Sequence, residues 1–146
     1  MAKGFTRMTF TEAIRSGFAN YVNFGGRALR SEFWWWQLFT LLVAFGAGMI
    51  DGAFNLNADI IADLWALAIL LPTLAVSVRR LHDSDMSGWW LFVMMIPFVG
   101  FVLLIVWWIQ EGTLGYNRFG PDPRHREVSL HAQGRSLHRG QTDTTS

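Results

Sequence analysis

The chain contains no cysteine. Disulfides, thiolate-held zinc, iron–sulfur clusters and thiol catalysis are therefore excluded, and the redox compartment is left open. Charge is also scarce: 16% of the 146 residues are Asp, Glu, Lys or Arg, against roughly 25% in soluble globular chains. The formal net charge is +1, too small for the basic footprint of a nucleic-acid-binding surface, so no nucleic-acid partner is expected. No G-x-x-x-x-G-K-[ST] loop is present to cradle a phosphate. The first 32 residues hold no apolar run, whereas a cleaved leader places a short one early. Ala44 and Gly46 mimic a cleavage site, but that pattern is short and common.

Apolar mass is what the chain has instead. Hydrophobic residues make up 51%, with eight Trp and twelve Phe against two Tyr. The charges are clustered and leave three long stretches almost free of them. Tryptophan favours the membrane interface, where its ring is half apolar and its N–H finds water or headgroups.

The first stretch, 33–50, has 18 residues without a charge and covers roughly 27 Å of a ~30 Å hydrocarbon core. Trp34, Trp35 and Trp36 sit at its start, after Arg27, Arg30 and Glu32, and Asp51 follows it. Ala44, Gly48 and Gly52 form a small-xxx-small row that lets another helix approach closely. The second stretch is 60–78. Asp63 suits the positive end of the helix dipole, Pro72 predicts a kink, and Arg79 and Arg80 close the far end. The third stretch, 89–109, has 21 uncharged residues interrupted by Pro97 and Gly100. A kinked crossing and a re-entrant hairpin both fit the break, and a single crossing is the expectation.

Residues 1–26 predict a capped amphipathic helix. Thr9 and Glu12 form a capping box, and Phe10, Ile14, Gly17, Phe18, Tyr21 and Val22 share one face before Gly25 and Gly26 end the helix. It lies flat on a bilayer or packs on the other helices, and both placements stay open. Residues 124–146 are polar and aperiodic, which predicts a disordered tail. The expected fold is therefore all-α and integral to a membrane: an interfacial helix and three transmembrane helices within 1–123, then the tail.

Charge asymmetry orients such spans. Lys3, Arg7, Arg15, Arg27 and Arg30 precede the first, and Arg79 and Arg80 separate the second from the third. Only Asp51 and Asp59, with Asp63 at the edge, separate the first from the second. A cytoplasmic N-terminus is the expectation. Three crossings then place Arg118, Arg124 and Arg126 outside, against the rule. Re-entry of 89–109 or a reversed orientation removes that conflict.

Arg27, Arg30, Glu32, Arg79, Arg80, His82 and Asp83 fall near one membrane face. A charge drawn to the bilayer centre costs about 2.5–3.5 kcal/mol, so these residues pair or stay at the interface. One reading is a polar network, with Glu32 and Asp83 bridging the arginines and fixing helix register. The other is an anion or lipid-headgroup site, with paired arginines forking onto a phosphate. His82 beside Asp83 invites acid–base chemistry, but adjacent helix residues do not face each other. Ser84 and Ser87 are the nearby hydroxyls, and neither lies in a nucleophile motif. A metal site built on His82, Asp83 and Asp85 has no second histidine at helical spacing, and His125, His131 and His138 fall in the tail. No metal, cofactor or enzymatic activity is expected. A transporter or channel needs an oligomer; Pro72, Pro97 and Gly100 speak for it and the uncharged span centres against it.

Three polar blocks recur around these spans. They are Phe24-Gly25-Gly26-Arg27 with Arg30-Ser31-Glu32-Phe33-Trp34, then Arg79-Arg80-Leu81-His82-Asp83 with Ser87-Gly88-Trp89-Trp90, and last Asn117-Arg118-Phe119-Gly120-Pro121-Asp122-Pro123. With Ile96-Pro97-Phe98-Val99-Gly100 between the last two, they resemble the DUF805 family of bacterial inner-membrane proteins over roughly residues 10–123. Ser84-Asp85-Met86 departs from the glycine and basic residue expected there, which counts against an anion site in that loop. The tail after Pro123 is an extension. The resemblance implies a multi-pass inner-membrane protein and no chemistry, since the family is named for lacking an assigned function. The expected partners are the bilayer and its anionic headgroups, with a homo-oligomer left open.

Overall fold

A computed structural model of the chain describes residues 7–54 and 60–124. Lys3, Asp59 and the expected tail beyond Arg124 lie outside the described residues. Apart from one bridge between Asn117 and Gly120, the regular structure among the described residues is helical, in the order α1 (Phe10–Ala19), α2 (Arg30–Ala53), α3 (Ile60–Asp83), a 3-10 segment (Gly88–Met95) and α4 (Val99–Ile109).

The Thr9–Glu12 capping box starts α1: the Thr9 N–H donates to Glu12 Oε2 at 2.8 Å and the Glu12 N–H to Thr9 Oγ1 at 3.4 Å. Ala13 and Gly17 face inward, and a Cβ on Gly17 would collide with the Trp36 indole. Glycine there lets α1 close onto α2. Phe18 meets Trp36 edge-on at 5.3 Å, and Phe10 meets Trp35 at 5.6 Å. Of the two placements open to this helix, the apolar face packs on α2.

The two long helices, of 24 residues each, are long and apolar enough to cross a membrane. Both extend beyond the uncharged stretches, because the charges at their ends are satisfied inside the protein. Phe33, Trp36, Thr40, Ala47 and Asp51 form the buried stripe of α2, and Pro72, Ala75 and Val76 lie buried on α3. Trp36 Nε1 donates to Thr73 Oγ1 at 3.1 Å, and Trp65 Nε1 to the Thr40 carbonyl at 3.3 Å. At the far end, the buried Asp51 carboxylate accepts the N–H groups of Ile61 (3.2 Å) and Ala62 (3.0 Å) and so caps α3. The outer faces carry exposed Leu41, Phe45 and Met49 on α2 and Leu64, Leu67 and Leu71 on α3. Gly48 and Gly52 also point outward, with nothing within 4 Å of where a Cβ would stand, so within the chain the row beginning at Ala44 packs no helix.

Pro72 does not end α3, which is helical through to Asp83. A proline at 72 removes the N–H that the Ala68 carbonyl would accept four residues earlier. The Tyr21 hydroxyl, just past α1, donates to that same Ala68 carbonyl. A gap in the backbone ladder of α3 is thus filled from the N-terminal region, which matters most where no water is at hand.

The stretch 89–109, expected as a single crossing, is not one continuous helix. The 3-10 segment turns at Ile96, Pro97 and Phe98 into α4. Three features force the turn. Pro97 has no N–H to continue a helix, Phe98 adopts a left-handed φ of 62°, and Gly100 lies so close to the Val93 carbonyl that any side chain would clash. Trp90 and Trp107 stand 5.4 Å apart, ring to ring, whereas 17 residues of straight helix would separate them by about 25 Å. The segment is a hairpin whose exposed tip includes Met95 and Phe98.

The Tyr21–Ala68 bond predicts a specific non-additivity. Tyr21→Phe should cost about 1–2 kcal/mol in reversible SDS unfolding from mixed micelles. In a Pro72→Ala background it should cost almost nothing, because the substituted alanine supplies the missing backbone donor. Equal costs in both backgrounds would show that the hydroxyl does not serve this carbonyl.

Candidate functional site at the charged end of the helices

The start of α2 and the end of α3 lie side by side, joined by the Ala28 N–H donating to the Arg79 carbonyl at 3.0 Å. All seven residues singled out from the sequence gather at this end. Asp83 is their centre. Its Oδ1 accepts from Arg27 Nε at 2.9 Å and its Oδ2 from Arg80 Nη1 at 2.5 Å. Glu32 forms the second pairing, 2.9 Å from Arg79 Nη2, and accepts the Ser16 hydroxyl of α1 at 2.8 Å.

Arg27, Arg79 and Arg80 are 8%, 4% and 0% exposed, so three guanidiniums share two buried carboxylates. Backbone oxygens supply much of the balance. Arg80 donates from Nε to the Trp108 carbonyl at 3.1 Å and from Nη2 to that of Gln110. Arg27 donates to the carbonyls of Gly115, at 2.6 Å, and Thr113. The last carbonyls of a helix have no donor within it, so Arg80 caps α4 with charge of the favoured sign. The chain passes close to Asp83: the Thr113 N–H donates to the Asp83 carbonyl at 2.8 Å, and a Cβ on Gly112 would overlap the Asp83 carboxylate. The whole arrangement is an ionic clasp that brings both arms of the hairpin back to one end.

His82 is turned away from Asp83. Its Nδ1 lies 3.1 Å from the Gly26 carbonyl, and its ring stacks on Phe119 at 3.7 Å and 3°. Asn117 Nδ2 donates to the His82 carbonyl at 2.8 Å. The two adjacent residues therefore form no acid–base couple. Among the described residues, no three His, Cys, Asp or Glu side chains are grouped to hold a metal ion.

Around this core lie looser contacts. Arg30 donates to the Ile109 carbonyl at 2.8 Å and to Glu111 Oε1 at 2.7 Å. Arg118 pairs with Asp85 at 3.1 Å, so the unusual Ser84-Asp85-Met86 loop supplies a carboxylate for the C-terminal segment. Arg124 Nε donates to Asp122 Oδ1 at 2.7 Å. Burial alone would raise the Asp122 pKa, but the Arg124 side chain and the N–H groups of Arg124 and Gly115 outweigh it and hold the carboxyl below its usual range. The hydrogen bond to Asp122 raises Arg124 in turn. Beside the clasp opens a cavity of about 530 Å³, lined among others by Arg7, Arg30, Trp34, Trp35, Glu111 and Arg124.

Residues 21–121 match the family described as "Protein of unknown function (DUF805)". The chain belongs to the DUF805 family. It is 41% identical over 109 residues to inner membrane protein YhaH of Escherichia coli strain K12, covering 72% of this chain and 90% of the relative. Inner membrane protein YhaI of the same strain is 42% identical over 105 residues, with 72% and 89% covered. The uncharacterized protein YiiR, also of that strain, is 29% identical over 144 residues, with 78% and 93% covered. No solved structure matches. The DUF805 match takes in the clasp and the hairpin, and begins at Tyr21. It leaves out α1, and with it Ser16.

Sequence reasoning missed the acceptors of the buried arginines, because backbone carbonyls carry no residue signature. It also missed Ser16, Tyr21 and Asp51 as anchors. Asp51 had a visible signal, an acidic residue shortly before a helix start; the other two had none.

The clasp separates two kinds of ion pair. Asp83→Asn leaves two guanidiniums without their carboxylate and should cost about 3–5 kcal/mol in SDS unfolding. Arg118→Ala removes an exposed pair and should cost less than about 1 kcal/mol. Similar small losses in both would mean that Asp83 does not hold the fold.

Proposed function

We propose that this chain is a non-enzymatic protein of the bacterial inner membrane, with two crossing helices and a hairpin that enters one leaflet and returns. The observation that carries this reading is the clasp: Arg80 and Arg27 tie the segment after α4 to the same end from which the 3-10 segment departs. The 11 residues of α4 extend about 16 Å, roughly half of a ~30 Å hydrocarbon core. The names of its inner-membrane relatives and the leucine-rich outer faces of α2 and α3 support the bilayer as its surroundings.

Re-entry also removes the charge conflict. Arg118 and Arg124 then join Arg27, Arg30, Arg79 and Arg80 on one side, while Asp51 and Asp63 stand at the other end of the helix pair. By charge asymmetry the arginine side is cytoplasmic, and Arg7 and Arg124 with it. On that face the clasp is structural, since Glu32 and Asp83 are engaged by arginines and His82 by Gly26 and Phe119. The function we assign to the face is contact with the anionic cytoplasmic leaflet through its outer arginines.

The cysteine-free chain makes the topology easy to test. Leu114→Cys and Phe54→Cys are both at exposed positions. In intact spheroplasts, a membrane-impermeant maleimide should label Phe54→Cys and spare Leu114→Cys until the membrane is opened. Labelling of Leu114→Cys in closed spheroplasts overturns re-entry.

The outward Gly48 and Gly52 favour a second reading, an oligomeric transport or channel subunit joined along that row. That reading requires Gly48→Cys to form an inter-chain disulfide on mild oxidation. A persistent monomer removes it.

A further inference from the structure

We propose that the cavity beside the clasp binds the phosphate of an anionic phospholipid, whose headgroup carries no cation to oppose the arginines, in the adjoining leaflet. This deepens the reading above, since it rests on the arginine-rich end meeting the cytoplasmic leaflet. The site is distinct from the paired Arg79 and Arg80 that the sequence suggested for such a role. Those two are buried and engaged by Glu32, Asp83 and helix-end carbonyls.

The cavity draws guanidiniums from three separate segments. Arg7 precedes α1, Arg30 opens α2, and Arg124, held by Asp122 and the Gly112 and Thr113 carbonyls, adds its positive charge from the end of the described C-terminal segment. Guanidinium groups present planar donor forks that match phosphate oxygens. Asp83 also borders the space, but its two oxygens already hold Arg27 and Arg80. Arg7 is exposed and ion-pairs with no described residue.

Glu111 points to the ligand. Its carboxylate lies 2.7 Å from Arg30 Nη2, with the two side chains 70% and 40% exposed. An exposed pair of this kind is weak and screened by solvent. The chain's own carboxylate thus occupies the place of an external anion and is readily displaced by a doubly forked phosphate. Trp34 and Trp35 wall the cavity while remaining 44% and 39% exposed, as suits side chains at headgroup depth. Ile109, at the end of α4, adds an apolar edge for the start of an acyl chain.

The two charged neighbours predict opposite effects from variants that leave the clasp intact. Purified protein in a neutral detergent is titrated with phosphatidylglycerol or phosphatidylcholine, and bound lipid is counted by native mass spectrometry. Phosphatidylglycerol should be preferred. Arg7→Ala should weaken its binding, and Arg30→Gln should weaken it by roughly tenfold. Glu111→Gln should strengthen it, because Arg30 is released. A merely structural Arg30–Glu111 pair would instead leave Glu111→Gln with unchanged or weaker binding, and that result overturns the site. Equal binding of the two lipids, or indifference to Arg7→Ala and Arg30→Gln, overturns it as well. Soluble glycerol phosphate separates the sources: displacement of bound lipid assigns recognition to the phosphate alone, and no displacement assigns the acyl chains a share. The titration needs no bilayer, so it stands or fails independently of the labelling that tests topology.

Discussion

Asp83 holds one guanidinium on each carboxylate oxygen, and the rest of the fold leans on that arrangement. A buried guanidinium costs several kcal/mol unless it is paired and its remaining protons find acceptors. Arg27, Arg79 and Arg80 are buried here and share the carboxylates of Glu32 and Asp83. The end of α4 has the complementary deficit, carbonyls with no donor in their own helix. Arg80 joins the two by donating to Trp108 and Gln110, while Arg27 reaches Gly115 and Thr113. Neither Arg27 and Arg80 nor the hairpin's return would be satisfied without the other; among the described residues, Arg79 rests on its ion pair with Glu32 alone.

This reciprocity explains why the third apolar stretch doubles back. Pro97, the left-handed Phe98 and the close approach of Gly100 to Val93 make a turn there the local solution. A turn alone does not set where the second arm ends. That is decided by the clasp, which catches the chain from Trp108 to Gly115 at the end from which Gly88 departed. The functional reading follows from the same accounting. Most side chains that sequence would offer to catalysis or to phosphate are engaged within the protein, while Arg7 and Arg30 lie outward, at a cavity that Trp34 and Trp35 also line.

Much of this was legible in the sequence, and the missing part has a physical cause. The cap at Thr9, the two long helices and the clustering of seven polar residues at one end all leave residue-type signals with regular spacing. The break at Pro97 was also visible. Its outcome was not, because a 21-residue uncharged run has the length of a crossing and what opposes one is a set of tertiary bonds between arginines and distant carbonyls. The Ala44–Gly48–Gly52 row is not what α2 packs within the chain: small residues permit close packing, but the stripe of Trp36, Thr40 and Ala47 is what α2 buries. Within the site, the sequence suggested Glu32 and Asp83 as bridges between the arginines, but not which arginine each holds. Asp83 and His82 are neighbours in sequence yet face different partners, as the helical geometry requires.

The bond from Tyr21 to Ala68 has a bearing on the order of assembly. Until the N-terminal region docks, α3 carries a carbonyl that Pro72 has deprived of its helical donor. The polypeptide delivers Tyr21 first and Ala68 much later, so the donor must wait for its acceptor to be made and inserted. The Tyr21–Ala68 bond therefore closes only once both segments are in place. The mid-section of α3 reports, through a single hydroxyl, whether the amino end of the chain has found its place.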